Sequence, residues 1–278
     1  MDLSIQALIM GLTQGLTEFI PVSSSGHLVL VPWLFGWKDQ FIDSVAFTVV
    51  LHMGTLLALL VYFWRDWLTL IPAGFATIRD RSFKGDPNRK MAFLILVATI
   101  PAVLVGPIFD TKLEELVRKP AEIAFMLCVG AAILWLADRW GSKKRDMDSL
   151  SFPEALGVGV AQTIALVPGI SRSGISISAG LFMGLTRESA ARFSFLMSTP
   201  VIAGAGLWTA RKFLTHEAGP NPEMNVIVIG FIAAAISGFV AIRFMLAFLR
   251  SKSVNVFVVY RVLAAIAVFI VLLSPHGA

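Results

Sequence analysis

Six stretches of this chain are apolar for long enough to cross a hydrocarbon core, which takes about 20 helical residues. They run near residues 44–64, 91–109, 121–138, 190–210, 225–248 and 256–273. In lipid every backbone N–H and C=O must be satisfied inside the protein, and a helix does this within one segment. The expected class is therefore an all-α integral membrane protein. Composition agrees: of 278 residues 56% are hydrophobic and only 15% charged, too little polar surface to solvate a globule of this size. The single cysteine, Cys128, lies inside an apolar stretch and excludes an internal disulfide or a cysteine metal cluster. Met1 is not followed by a basic, short-apolar, small-residue pattern, so no removable signal is expected. Membrane lipids are expected neighbours; nucleic acid is not, because the chain lacks the soluble basic face that binding it requires.

Two further apolar regions, 3–37 and 154–184, are each interrupted by Pro, Gly and serines. Broken helices survive at membrane depth only where the freed backbone faces protein or a water-filled cavity. These regions are the functional suspects, and they resemble each other. With Ala7 placed on Ala155 and no gap, Leu8 meets Leu156, Gly11 meets Gly159, Gln14 meets Gln162, Ser23 meets Ser171, Ser25 meets Ser173 and Gly26 meets Gly174. Each broken region precedes three spans, so one membrane domain, 1–278, reads as repeat one, 1–138, and repeat two, 154–278.

If each broken region enters and leaves on one side, the basic segments Arg65 to Lys90, Arg139 to Arg145, Arg187 to Arg192 and Arg243 to Lys252 share a face. The other face receives Lys38, Lys112, Arg118, Lys119, Arg211 and Lys212. The positive-inside rule puts the richer set in the cytoplasm. Three spans per unit then make this an inverted-topology repeat of six full spans and two broken re-entrant regions, the first dipping in from outside.

The first break carries Gln14, Glu18, Pro21, Ser23, Ser24, Ser25, Gly26 and His27. Gln14 and Glu18 are four apart and share a helix face, and Pro21 cannot continue the ladder behind them. A new helix then opens at Ser23 to Gly26, where unpartnered N–H groups and a positive dipole end suit an anion. His27, three residues beyond Ser24, is placed to work with it on one substrate atom. The second break, Pro168 to Gly174, opens a helix in the same way and adds Arg172, whose planar fork suits phosphate oxygens. An intramembrane carboxylate and a guanidinium each need a partner. Inverted repeats would bring Glu18, His27 and Arg172 together near the midplane.

The runs QGLTEFIPVSSSGH, from Gln14 to His27, and PGISRSG, from Pro168 to Gly174, resemble the signatures of the bacterial undecaprenyl-diphosphate phosphatase family, which is linked to bacitracin resistance. The resemblance spans essentially the whole chain. It implies removal of the terminal phosphate of undecaprenyl diphosphate, a polyprenyl lipid carrier of peptidoglycan synthesis. By motif, Glu18, Ser24, His27 and Arg172 take the catalytic positions. Gln14, Ser23, Ser25, Gly26, Ser171, Ser173 and Gly174 take substrate-binding positions. Glu18 and Gln14 would hold a divalent cation, Mg²⁺ or Ca²⁺; where other members have two acids, Gln14 leaves a single carboxylate. Localisation to the bacterial inner membrane follows, with the site open to the periplasm, and a homodimer is one assembly the sequence allows.

Two other intramembrane polar residues are expected to be structural. His52 reads as a hydrogen-bonded packing residue, and Arg261 as one that snorkels or pairs with a carboxylate. The alternative function is a transporter or flippase of an anionic prenyl lipid, since paired half-helices also build secondary transporters. Such a protein needs no nucleophile, and the Ser24, His27 and Glu18 cluster favours the phosphatase.

Overall fold

The computed structural model describes residues 1–109, 119–214 and 223–274, and Lys112 and Arg118 fall outside them. Among the described residues the regular structure is helical, with six helices long and apolar enough to cross a membrane. The first broken region is α1 (Leu3–Phe19) and α2 (Ser24–Phe35). Then follow α3 (Val45–Tyr62), α4 (Trp64–Asp80), α5 (Pro87–Phe109) and α6 (Pro120–Trp140). The second broken region is α7 (Phe152–Thr163), a 3-10 turn over Ile164–Leu166, and α8 (Arg172–Phe182). The chain continues through α9 (Arg187–Leu214), α10 (Met224–Leu249) and α11 (Asn255–Leu273). The spans are α3, α5, α6, α9, α10 and α11.

The segment from Arg65 to Lys90, read from the sequence as a basic loop, is mostly helix α4. Its exposed Leu68, Ile71, Phe75 and Ile78 recur every three or four residues, while Leu70, Ala73 and Thr77 are buried on the opposite side. That is a helical period. Phe63, at φ −96 and ψ 21, separates α4 from α3, and Arg81 ends it in the left-handed region at φ 48.

Close helix approach depends on small residues, because hydrophobicity gives no drive to association in lipid and contact between backbones must supply it. Gly11 and Gly15 of α1 lie against Gly230, Ala233, Ala234 and Ser237 of α10, and a Cβ added at Gly15 would stand 2.0 Å from the Ser237 hydroxyl. Gly54 of α3 meets the same helix at Phe231 and Ala234. Gly159 of α7 packs on the Ala98 backbone of α5. Each broken region is thereby wedged against a full span.

Ion pairs gather the basic segments at one end of the bundle. Arg187 makes two bonds to Asp138, at 2.5 and 3.1 Å, and Ser253 donates to the same carboxylate. Arg192 pairs with Asp66, and Arg250 with Glu188. In the connection after α6, Arg145 holds Glu154 at 2.6 Å and the Met183 carbonyl at 2.9 Å, while its backbone bonds to Gly184 and Thr186.

Candidate active site

The two breaks share one local geometry, and the serines produce it. Pro21 forces the preceding residue out of the helical region, so α1 ends with Ile20 extended at ψ 131. Ser23 then turns the chain at φ 79, and Ser171 does the same in the second break at φ 77. Such backbone costs a non-glycine residue about 1–2 kcal/mol. Capping offsets it: Gly26 N–H donates to Ser23 Oγ at 3.3 Å, and Gly174 N–H to Ser171 Oγ at 3.1 Å. Each capping serine also meets the serine two positions on, Ser25 at 3.3 Å and Ser173 at 3.2 Å. The first N–H groups of α2 and α8 are left without backbone acceptors by their position in the helix.

The breaks touch. Gly26 faces Gly169, and Ser173 Oγ donates to the Ile20 carbonyl at 3.4 Å. At this junction Glu18, 4% exposed, is the hub. Its Oε1 pairs with Arg172 Nη2. Its Oε2 accepts from Ser24 Oγ at 2.5 Å and from Gln14 Nε2 at 3.1 Å. The opposite charges expected to converge do so, joining α1 to α8. Gln14 spends its amide donor on Glu18, and its Oε1 is buried without a hydrogen-bond partner among the described residues. Ser24, Ser25 and Arg172 are only partly buried, so an incoming anion can reach them, whereas Ser23, Ser171 and Ser173 are closed off.

Ser24 and His27, expected to act as a pair, turn in different directions. Ser24 donates to Glu18. His27 Nδ1 lies 2.7 Å from the Ser23 carbonyl, which can only accept, so Nδ1 carries the hydrogen. His27 Nε2 then meets the Tyr260 hydroxyl at 2.8 Å.

Three residues of the site were not anticipated. His52 is hydrogen-bonded to the Thr48 carbonyl, as a packing histidine would be, but its Nε2 also faces Glu18 Oε2 at 3.7 Å. Tyr260 stacks on His27 with ring centres 5.7 Å apart. Arg261 neither snorkels nor meets a carboxylate among the described residues. It is fully buried and donates to the carbonyls of Gly169 at 2.7 Å, Ile170 at 2.8 Å, Leu127 at 3.1 Å and Pro21 at 3.4 Å. The reason is backbone supply: each break frees carbonyls at membrane depth, and a guanidinium with five donors satisfies several at once. The available signal was an ionisable residue inside an otherwise apolar span.

Among the described residues no group of three or more His, Cys, Asp or Glu side chains could hold a metal ion. At the junction the oxygens facing a cation would be those of Glu18, both already bonded, and Gln14 Oε1, without a partner among the described residues, too few to hold one by themselves.

Comparison with known proteins identifies the family. Residues 7–267 match the family described as bacitracin resistance protein BacA. The chain is 42% identical over 268 residues to a protein named undecaprenyl-diphosphatase from Desulforudis audaxviator, covering 96% of this chain and 97% of that one. It is 44% identical over 259 residues to the protein of the same name from Caldicellulosiruptor bescii, covering 93% of each. The Moorella thermoacetica protein of that name is 41% identical over 268 residues, covering 95% and 97%. With Glu18 and Arg172 meeting where two capped half-helices face each other, and with a match running through both breaks and all six spans, the chain belongs to the bacitracin resistance protein BacA family.

Proposed function

We propose that this protein is an integral membrane phosphatase that hydrolyses undecaprenyl diphosphate to undecaprenyl phosphate and phosphate. The observation that carries the reading is the junction itself: Glu18, Ser24 and Arg172 bonded together at the start of two half-helices. The names of the relatives supply the substrate class.

The diphosphate sits at the first turns of α2 and α8, held by Arg172 and Ser25; Ser23 and Ser171, whose hydroxyls cap Gly26 and Gly174, and Ser173, bonded to Ser171 and Ile20, would shape the two turns around it. Arg172 exchanges Glu18 for phosphate oxygens, a bidentate match for its fork. Glu18, relieved of its counter-ion, becomes the stronger base and takes the Ser24 proton, to which it is already bonded. Ser24 Oγ attacks the terminal phosphorus, the bridging P–O bond breaks and undecaprenyl phosphate leaves; water then releases phosphate from the serine. A His27 nucleophile and a directly attacking water are the competing versions. In the version with a directly attacking water, Glu18 and Gln14 Oε1 would instead hold a divalent cation, Mg²⁺ or Ca²⁺, which would offset diphosphate charge.

The gathering of Arg187, Arg192 and Arg250 at one end of the bundle supports a cytoplasmic assignment for that end. The shared serine geometry of the two breaks supports a duplicated unit, inverted in the membrane. The site then opens to the periplasm of a bacterial inner membrane, where a cell-wall polymerisation step leaves the diphosphate carrier.

Phosphate release from undecaprenyl diphosphate by the purified protein in detergent tests the activity. Arg172→Lys should stay folded and lose most of the rate, since a point charge cannot copy the fork. Turnover near that of the parent would reduce Arg172 to a structural partner. Labelled phosphoryl recovered on neither Ser24 nor His27 in trapped turnover would remove both covalent routes.

A further inference from the structure

His27 stands beside the proposed machinery, bonded to the Ser23 backbone but making no hydrogen bond to Glu18, Ser24 or Arg172 among the described residues. It is 9% exposed, and both ring nitrogens are engaged. Because Nδ1 donates to the Ser23 carbonyl, neutral His27 has its lone pair on Nε2, and the hydroxyl 2.8 Å away must point its hydrogen at that lone pair. That hydroxyl belongs to Tyr260, carried by α11, 233 residues along the chain. The rings lie within 16° of parallel, so the phenol is fixed by both an edge bond and a face contact. Tyr260 is 45% exposed where His27 is closed off. The next residue, Arg261, anchors this turn of α11 to the Pro21, Gly169 and Ile170 carbonyls and is close enough to act electrostatically on His27. The phenol thus has a defined place relative to both breaks.

We infer that Tyr260 is the positioning residue of His27 and the group through which His27 exchanges protons with the diphosphate site. The phenol oxygen takes a proton from a water or phosphate hydroxyl while its own proton passes to Nε2. This leaves the donor as its conjugate base, the phenol intact and His27 as an imidazolium still bonded to Ser23. Return of the proton reverses each bond change, and no other reactant is needed. The assignment gives His27 a role in phosphoryl transfer without a contact to Ser24. It rests on the phosphatase reading.

The test is Tyr260→Phe, which keeps the ring and removes only the hydroxyl, compared with His27→Ala and the double variant. Phosphate release is measured alongside ¹⁵N spectra of histidine-labelled protein in detergent. General acid–base groups contribute roughly 10²–10⁴-fold, and an indirect one should lose less. The expected result for Tyr260→Phe is a kcat lower by about 10–100-fold with KM changed less than about twofold. The double variant should be no slower than His27→Ala, because the two residues act as one unit. The His27 Nε2 resonance should move toward that of an unbonded lone pair. A kcat near the parent's, or effects that multiply in the double variant, would overturn the assignment. Should the parent protein release no phosphate, the phosphatase reading fails separately, and an unmoved Nε2 resonance would still refute the positioning role.

Discussion

Replacing Arg261 with methionine, which keeps much of the side-chain volume without charge or donors, tests whether one guanidinium holds the two breaks together. Four carbonyls lose a donor. Leu127 lies within helix α6 and retains its own turn, whereas Pro21, Gly169 and Ile170 lie outside helices, and no second donor to them is present among the described residues. Leaving a buried acceptor unsatisfied costs about 1–3 kcal/mol, so three amount to roughly 3–9 kcal/mol. Against this stands the desolvation of a fully buried guanidinium, several kcal/mol that the variant no longer bears. The net expectation is a loss of about 2–4 kcal/mol, or roughly 5–15 °C in melting temperature at the scaling of soluble proteins. Tryptophan fluorescence in detergent reads the melt, and phosphate release reads the site. Activity should fall further than stability alone requires at temperatures where the variant is folded, because Gly169 and Ile170 set the entry of α8 and so the place of Arg172. An Arg261→Met protein with parental melting temperature and turnover would refute the account of Arg261 as the clamp.

Three further outcomes follow from the packing, the linker and the orientation. Gly15→Ala puts a methyl 2.0 Å from Ser237 Oγ and 2.5 Å from the Ala234 carbonyl, so α1 must leave α10 at a cost of about 1–3 kcal/mol or more; Gly106→Ala meets nothing within 4 Å and should melt with the parent. Glu154 is held at a pKa of about 2, down from 4.5, first by its hydrogen bonds from Arg145 and then by that from Ser151 N–H. Because the folded value is the lower one, its contribution is present above about pH 4.5 and lost as pH falls through about 2. Glu154→Gln should therefore show a flatter melting-temperature profile across that window, and a profile matching the parent's would remove the assignment. Finally, Ser4→Cys and Ser82→Cys, each in a Cys128→Ala background, should differ in reaction with a membrane-impermeant thiol reagent on intact cells. Position 4 should label and position 82 should not; the reverse would overturn the periplasmic site.

The spans were legible because apolar length is a direct demand of the bilayer, and the structure moves their starts by only a few residues, from 91 to Pro87 and from 190 to Arg187. The breaks were legible for the opposite reason, since Pro, Gly and several serines together within a few residues interrupt the helix that lipid otherwise demands. A buried guanidinium needs an anion, so the sequence offered Arg172 either Glu18 or a ligand, and the structure pairs it with Glu18. What sequence spacing misjudged was side-chain direction. Ser24 and His27 are three apart, yet Ser24 is the first residue of α2 and looks back toward the end of α1, while His27 faces α11. Tyr260 and Arg261 had no local signal linking them to residues more than two hundred positions earlier. Helix α4 was hidden because the charges at Arg65, Asp66, Arg79 and Asp80 break up the apolar run in which Leu68, Ile71, Phe75 and Ile78 recur at three- and four-residue spacing.

The position of Arg261 in the last of the six spans bears on how the protein is made. Ribosomes deliver α1 and α2 first and α11 last, so the carbonyls of Pro21, Gly169 and Ile170 wait without their donor until the final helix is inserted. During that interval the half-helices have their serine caps, which are local, but nothing that ties one break to the other from α11. A chain holding both breaks and lacking this helix would carry those three carbonyls unsatisfied in the bilayer, which costs free energy. The contacts that join the breaks directly, Glu18 with Arg172 and Ser173 with the Ile20 carbonyl, need no residue of α11, so the last helix adds backbone satisfaction to a junction whose charges are already paired.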